Sequence, residues 1–401
     1  MSFPAVLALA AQPAWSAVWF WMLLLIAFVW LRRHFDLNRA RRDPVLRPEG
    51  ADGSEPLPPV TVLVAAKDEE SNIEQCLAGL RGQDYPNLQI VAVDDRSGDA
   101  TRAIICRVAT ADPRVTPVAV DELPTGWWGK SHALHVGMRC ATGEWLCFVD
   151  ADCRFHSPRL IAAAMRLAAR LGVEFLSVLP QLDAHGVWEK IVQPPAGGIM
   201  VFWFPPQKVN DPRKPQAYAN GAFMLMRRSA YERLGGHAAV RAETSEDMQF
   251  ARRAKRLGVR LHVVRGGGLY SVRMYAGLRE IWKGWTRIFY GSFAGWPRLS
   301  ASAAFLLVFS LLPVLSLLLS PFLGSSGWRI ASAALITLLA QQTVLWRFYR
   351  LCAMRPAWAL TYPLGAALCL GIIANAMRRL VGVPVEWRGT RYARGTRAGA
   401  V

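Results

Sequence analysis

Between Ser2 and Leu31 the chain carries no charged residue, and no other feature restricts its possible folds so strongly. The densest part, Trp15–Leu31 (WSAVWFWMLLLIAFVWL), crosses a hydrocarbon layer of about 30 Å once a few preceding apolar residues join it. A transmembrane helix, residues 1–31, is therefore expected to begin the chain. A secretory signal is the rival, but it has a basic start, a short apolar core and a small-residue cleavage site. Here the start is neutral, and the bulky end runs into Arg32 and Arg33. Trp15, Trp19, Trp21 and Trp30 suit anchoring at the membrane surface. The segment that follows, a basic juxtamembrane stretch and linker over 32–59, holds Arg32, Arg33, Arg39, Arg41, Arg42 and Arg47 against Asp36 and Asp43. By the positive-inside tendency, what comes next faces the cytoplasm.

Three further apolar stretches, 301–323, 328–346 and 357–377, lie in a region 300–377 expected to hold two or three spans. If all three cross, the basic tail 378–401 ends outside, against the charge tendency that put the middle of the chain inside. The stretch 301–323, with Pro313 and Pro321, is the first suspect for a re-entrant or interfacial segment. Composition agrees with a divided molecule. Of 401 residues 53% are hydrophobic and 19% charged, where soluble chains run near 45–50% and about 25%. The formal charge of +18 lies largely beside the apolar stretches, where it meets anionic lipid. As a nucleic-acid signal it offers only nonspecific phosphate attraction. The seven cysteines form no CxxC pair and no zinc-type spacing, and read as reduced and structural.

After the linker the texture becomes α/β. Val60–Ala65, Ile90–Val93 and Trp145–Val149 read as strands, and 69–83 and 99–110 as helices, which implies a mostly parallel sheet with ligands at its carboxyl edge. Three acidic signals stand out: Asp94-Asp95 after IVAV, Asp150-Ala151-Asp152 after WLCFV, and Glu246-Asp247 in TSEDMQFARR. A D-x-D at a strand end offers two hard oxygen ligands, suited to Mg²⁺ or Mn²⁺ that also binds substrate phosphates. Glu246-Asp247 also reads as an acidic helix N-terminus. The stretch Val187–Lys208 is apolar, aromatic and broken by four prolines, and is expected to dip into the membrane near the place where an acceptor arrives.

The order VTVLVAAKDEESNIEQCLAGLRGQDYP, QIVAVDDRSGDAT, GKSHALHVGMRCATGEWLCFVDADCRF, NGAFMLMRRSAYERLGGH and ETSEDMQFARRAKRLGVRL resembles the GT-A fold of family 2 glycosyltransferases over about residues 58–265. With the flanking helices, VNDP at Val209–Pro212 and the terminal VEWRGTRY, it resembles the membrane-bound branch that glycosylates lipids, ceramide-, carotenoid- and hopanoid-linked enzymes among them. The resemblance implies an α/β, Rossmann-like GT-A catalytic domain over 60–265, a mostly parallel mixed sheet, flanked by transmembrane helices. It further implies that Ala65, Ala66, Lys67, Glu69 and Asp95, with Asp94 beside it, hold the nucleoside of a donor. A carboxylate can accept a hydrogen bond from a base N–H. The chain departs from the usual motif in having Ala65 and Asp68 where Pro and Asn are common.

By the same resemblance Lys130 sits near the donor phosphates as a point charge. Asp152 is the main metal ligand, and Asp150 contacts the ribose or the metal, either Mn²⁺ or Mg²⁺. Asp247, with Glu246 beside it, matches the general base of inverting members. His156 reads as a surface histidine. The segment 266–299 is expected at the membrane interface. In place of the Q/R-x-x-R-W signature of processive relatives it has Glu280–Arg287, which offers Lys283 or Arg287 to the diphosphate and Trp282 or Trp285 to the acceptor, or simply anchors the chain. The expectation is a multi-pass inner-membrane enzyme that moves one sugar from a nucleotide-sugar, a UDP-sugar first, to a lipid hydroxyl. The rivals are an inactive nucleotide-sugar-binding scaffold, a polysaccharide-synthase-like transferase and a nucleotidyltransferase. The last would want a Gly-rich phosphate loop that AAKDEES lacks.

Overall fold

The computed structural model describes residues 14–41, 43–293 and 295–383, and the backbone of 385–387, 390–393 and 396–397. The expectations for residues 1–13 and for the side chains of the basic tail, VEWRGTRY included, lie outside the described residues. The strands are β1 (Val60–Ala66), β2 (Leu88–Asp95), β3 (Val115–Val120), β4 (Trp145–Asp150), β5 (Cys153–Phe155), β6 (Phe175–Leu179), β7 (Gln181–Leu182), β8 (Phe223–Arg227), β9 (Leu261–Arg265) and β10 (Tyr270–Val272). Seven of them form one sheet in the order β3-β2-β1-β4-β8-β6-β9, in which β8 alone runs against its neighbours. β5, β10 and β7 form a small second sheet. The central strands are continuous apolar runs because both faces of the sheet are covered. In β1, Val62 and Val64 face one buried cluster and Leu63 the other.

Helices α1 (Ala14–Ala40), α2 (Ile73–Arg81), α3 (Thr101–Ala111), α4 (Gly129–Gly137), α5 (Leu160–Leu171), α6 (Val187–Trp203), α7 (Glu246–Arg256) and α8 (Leu278–Phe293) follow in chain order. The helical run α9 (Trp296–Phe322), helix α10 (Gly327–Leu351) and the run α11 (Pro356–Leu380) close the described chain. α2, α3 and α5 cover one sheet face through residues such as Leu77, Ile105 and Ile161. The other face meets α4 and α7, and its apolar cluster continues without a break into Leu23, Ile26 and Trp30 of α1 and Ile330 and Ala334 of α10. The water-facing sheet and the apolar helices therefore share one core. Among the described residues three helices are long and apolar enough to cross a membrane: α1, α9 and α11.

Two proline-bearing segments are helical throughout. The suspected break at 301–323 is a continuous helical run that absorbs Pro313 with a π-helical turn over Leu306–Leu311. Proline lacks the N–H that would reach the carbonyl four residues earlier. That carbonyl, of Phe309, instead accepts from the Trp30 indole at 2.8 Å and from Gln341 at 3.3 Å. In α6, Pro194 and Pro195 lie inside a regular helix. The Ile191 carbonyl that Pro195 leaves free faces Gly365 of α11, where any Cβ would collide with it. Pro313 and Pro195 are tolerated because a neighbouring helix covers the carbonyl each releases.

Candidate active site

The sheet register sets the site. Ala66 lies opposite Asp94 and Ala65 opposite Asp150, so the loops after β1, β2 and β4 emerge side by side. The chain after β1 turns through Asp68 at φ 52°, and α2 starts at Ile73 rather than near 69 because Asp68–Asn72 are spent on cross-loop bonds. Gly98 N–H donates to Asp68 Oδ1 at 2.8 Å, Asp68 N–H to Ser97 Oγ at 3.0 Å, and Glu69 N–H to Thr101 Oγ1 at 2.8 Å. The Asp68 that replaces the usual Asn thus ties the two loops together. Lys67 Nζ caps the turn, donating to the Arg96 carbonyl at 3.0 Å. Glu69 is held by Asn72 at 2.8 Å.

Asp94 and Asp95 differ sharply. Arg96 engages both oxygens of Asp95, at 2.8 and 3.1 Å. Asp94 is 2% exposed, and its Oδ1 has no hydrogen-bond partner in the structure. Burial pushes its carboxyl upward against the pull of Ser97. The oxygen left open to a donor N–H therefore belongs to Asp94, whereas the motif put the weight on Asp95, whose two oxygens are taken by Arg96.

Lys130, in the first turn of α4, joins the other carboxylates. Its Nζ lies 2.5 Å from Asp150 Oδ1 and 2.6 Å from Glu246 Oε1, bridging the end of β4 to the start of α7. Burial works against its charge, yet these two acids hold the ammonium above the ordinary lysine value. Burial also drives Glu246 upward, but Lys130, with Arg287 behind it, outweighs this and keeps Glu246 ionised. Asp152 is pushed up to about 7, first by burial and then by the charges of Asp150 and Glu69. Asp247 is likewise pushed up to about 7 by burial and by Glu246. Its Oδ2 accepts from Gly221 N–H at 3.0 Å and its Oδ1 from Met248 N–H at 2.7 Å.

Several residues that sequence reasoning left unassigned shape this centre. A Cβ on Gly221 would stand 3.0 Å from Lys130 Nζ and 3.5 Å from both Asp247 Oδ2 and Glu246 Oε1. Asn220 spans from Ser177 to the Tyr218 hydroxyl. Trp128 binds the loop before α7 through its backbone N–H to Arg241 O at 2.7 Å and its indole to Ala242 O at 3.1 Å. The only signal for Gly221 and Asn220 was the NG of NGAF. Of the expected acceptor residues, Arg287 acts on Glu246, Trp285 is buried, the Trp282 ring lies against Gly371 of α11, and Lys283 is exposed. His156 is exposed but anchored, its ring bonded to Ser271, which donates to Asp183. Asn210 of VNDP pairs with both backbone groups of Val263, at 2.7 and 2.9 Å, and so extends the sheet beyond β9.

Among the described residues no three His, Cys, Asp or Glu side chains form a ready-made metal cage. Asp150 and Asp152 are hard oxygen donors, and the mutual repulsion that raises Asp152 is what a bound divalent cation would relieve. The residues fit such an ion, with the rest of its shell left to a substrate.

A sheet of this order, with nucleotide-type loops at its carboxyl edge and buried acids across from them, is that of a GT-A transferase. The model of glycosyl transferase family 2 matches residues 61–235, and that of glycosyl transferase family group 2 matches 207–371. The chain is 24% identical over 343 residues to the 4,4'-diaponeurosporenoate glycosyltransferase of Staphylococcus aureus strain USA300, covering 83% of this chain and 88% of that one. The form from strain MRSA252 is 26% identical over 268 residues, covering 65% and 69%. The mannosyltransferase of Pyrobaculum calidifontis, solved with GDP-Man and Mn²⁺, superposes with a TM-score of 0.53 at 20% identity, over 90% of this chain and 99% of that one. This chain belongs to the family 2 glycosyltransferases and has their GT-A fold.

Proposed function

We propose that the chain is a membrane-bound enzyme that transfers one sugar from a nucleotide-sugar to a hydroxyl of an apolar, carotenoid-type lipid, with inversion at the anomeric carbon. The observation that carries the reading is the Lys130 bridge, which holds the donor-side acid Asp150 and the acid pair Glu246-Asp247 around one point. The polyene character of the acceptor follows the name of the relatives, whose own acceptor presents a carboxylate, and the hydroxyl follows from the placing of Asp247 as a base; the apolar helices joined to the catalytic core supply the setting.

In this reading Asp94 takes a base N–H, while Lys67 and Glu69 keep the loop beneath the nucleoside in shape. Asp152 and Asp150 would hold Mn²⁺ or Mg²⁺, which would neutralise charge on the diphosphate. Lys130 faces the same phosphates as a point charge. Asp247, oriented by Gly221 N–H, takes the acceptor proton as the hydroxyl oxygen bonds to the anomeric carbon and the bond to the diphosphate breaks. Glu246 stays ionised and holds Lys130 in place. The catalytic domain faces the cytoplasm, where nucleotide-sugars are made.

The test is release of nucleoside diphosphate by detergent-purified protein across a panel of nucleotide-sugars, with Mn²⁺ or Mg²⁺, with and without total membrane lipid. Release should be stimulated by lipid, depend on metal and be lost in Asp152→Ala. A protein that binds donors but releases nothing with any lipid is a scaffold, and the proposal falls.

A further inference from the structure

A line of aromatic rings connects the apolar helices to the catalytic acids. Phe305 of α9 lies 5.3 Å from Phe202 of α6, and Phe202 lies 5.5 Å from Trp203. Trp203 leads to Phe293 at 6.3 Å, Phe293 to Phe204 at 6.2 Å, and Phe204 to Tyr218 at 5.8 Å. The Tyr218 hydroxyl meets Asn220, and the next residue, Gly221, donates to Asp247.

Two cations mark the depth of this line. The Arg33 guanidinium lies 4.9 Å over Phe202 and 5.9 Å from Phe305, and that of Arg298 lies 5.3 Å from Phe204 and 5.8 Å from Trp203. Arginines near helix ends hold their charged heads at the headgroup level. Phe305 is therefore on the hydrocarbon side of that level and Tyr218 on the catalytic side. The seam is open as well as continuous. Phe202 is 44% exposed and its neighbour Val201 48%, while Phe204 and Phe293 behind them are buried. A ring that only filled the core would not be left half uncovered beside the Arg33 guanidinium.

We infer that this seam, at the junction of the C-terminus of α6 with the first half of α9, is the track along which the apolar chain of the acceptor lies while its hydroxyl reaches Asp247. This rests on the lipid-transfer reading above and adds to it a place and a chemistry. The acceptor is an extended, flat or flexible hydrocarbon that stacks on rings, and it approaches between α6 and α9, not between α1 and α10.

Phe202→Ala and Phe202→Trp test the track, with Leu339→Ala, on the exposed face of α10, as control. The readout is transfer of radiolabelled sugar into total membrane lipid, and into a hydroxylated linear polyene as a defined probe, at varied lipid and donor concentrations. Phe202→Ala should raise the lipid concentration for half-maximal transfer about tenfold, the worth of one lost ring contact. Its donor KM should not change, Phe202→Trp should restore the lipid dependence, and Leu339→Ala should match the unaltered chain. Unaltered lipid dependence in Phe202→Ala, or an equal shift in Leu339→Ala, overturns the track while leaving lipid transfer standing. Absence of lipid transfer by the unaltered chain removes the functional reading and the track with it.

Discussion

Asp247 can accept a proton only when ionised, and burial, reinforced by the neighbouring Glu246 charge, raises it to about 7. The ionised fraction therefore grows as pH rises through 7, so kcat should climb about tenfold per pH unit on the acid side and level off above about 7. Asp152 titrates near the same pH, so the profile is taken at saturating Mn²⁺, which holds a ligand carboxylate ionised. Glu246→Gln removes one of the two effects that raise Asp247 and should move the acid limb to lower pH. A limb that stays in place assigns the base elsewhere. Asp94-Asp95 and Asp150-Ala151-Asp152 were legible in the sequence because acids directly after apolar runs have few structural reasons to be there, and Asp247 was legible through the family resemblance. Their division of labour was not. Nothing in VDDRS says that Arg96 takes both oxygens of Asp95 and leaves Asp94 open, and nothing in NGAF says that residue 221 sits where Lys130, Glu246 and Asp247 meet, with only 3.0 Å from a Cβ to the Lys130 ammonium.

At the level of elements, the three central strands could be read because a strand buried on both faces is an uninterrupted apolar run, although the reading of Ile90–Val93 covers only the middle of Leu88–Asp95 and the shorter strands gave no such signal. The proline-bearing helices could not, since the group that compensates each proline lies far away in sequence. Trp30 and Gln341 reach Phe309 O from α1 and α10, and Gly365 of α11 makes room for Ile191 O. Polar ties of this kind inside an apolar layer are worth about 0.6–2 kcal/mol. Trp30→Phe keeps the ring against Tyr362 but drops the indole N–H, so it should lower the melting temperature in detergent. Pro313→Ala lets residue 313 donate to Phe309 O itself, so the double variant Trp30→Phe/Pro313→Ala should regain most of the loss. Equal destabilisation by Trp30→Phe in both backgrounds would show that the indole bond does not compensate the proline.

Across the whole molecule, the contacts of the apolar helices settle their relative directions. α1 and α10 run parallel, with Arg329 over Phe20, Thr337 donating to Leu23 O at 2.8 Å, and Arg347 bonded to His34 and Asn38. α9 runs opposite to both, since Trp19 donates to Ser316 and Trp30 to Phe309 O. α11 takes another course: Gly365 lies against α6, Gly371 against Trp282 of α8, and Asn375 donates to Thr286 of α8 at 3.1 Å. Apolar length alone selects α11 and passes over α10, yet α10 follows α1 turn for turn and gives its polar side chains partners there. We therefore expect three crossings, by α1, α9 and α10, with α11 lying beside the catalytic layer, which would return Arg378 and Arg379 to the side of Arg32 and Arg33 and remove the charge conflict seen in the sequence. With the exposed Cys106 replaced by Ser, a cysteine at Phe322, the last residue of α9 before the turn into α10, should react with a membrane-impermeant maleimide in intact cells. A cysteine at Val381, just past α11, should react only after the membrane is opened. Labelling of Val381→Cys in intact cells would make α11 a fourth crossing and put the tail outside.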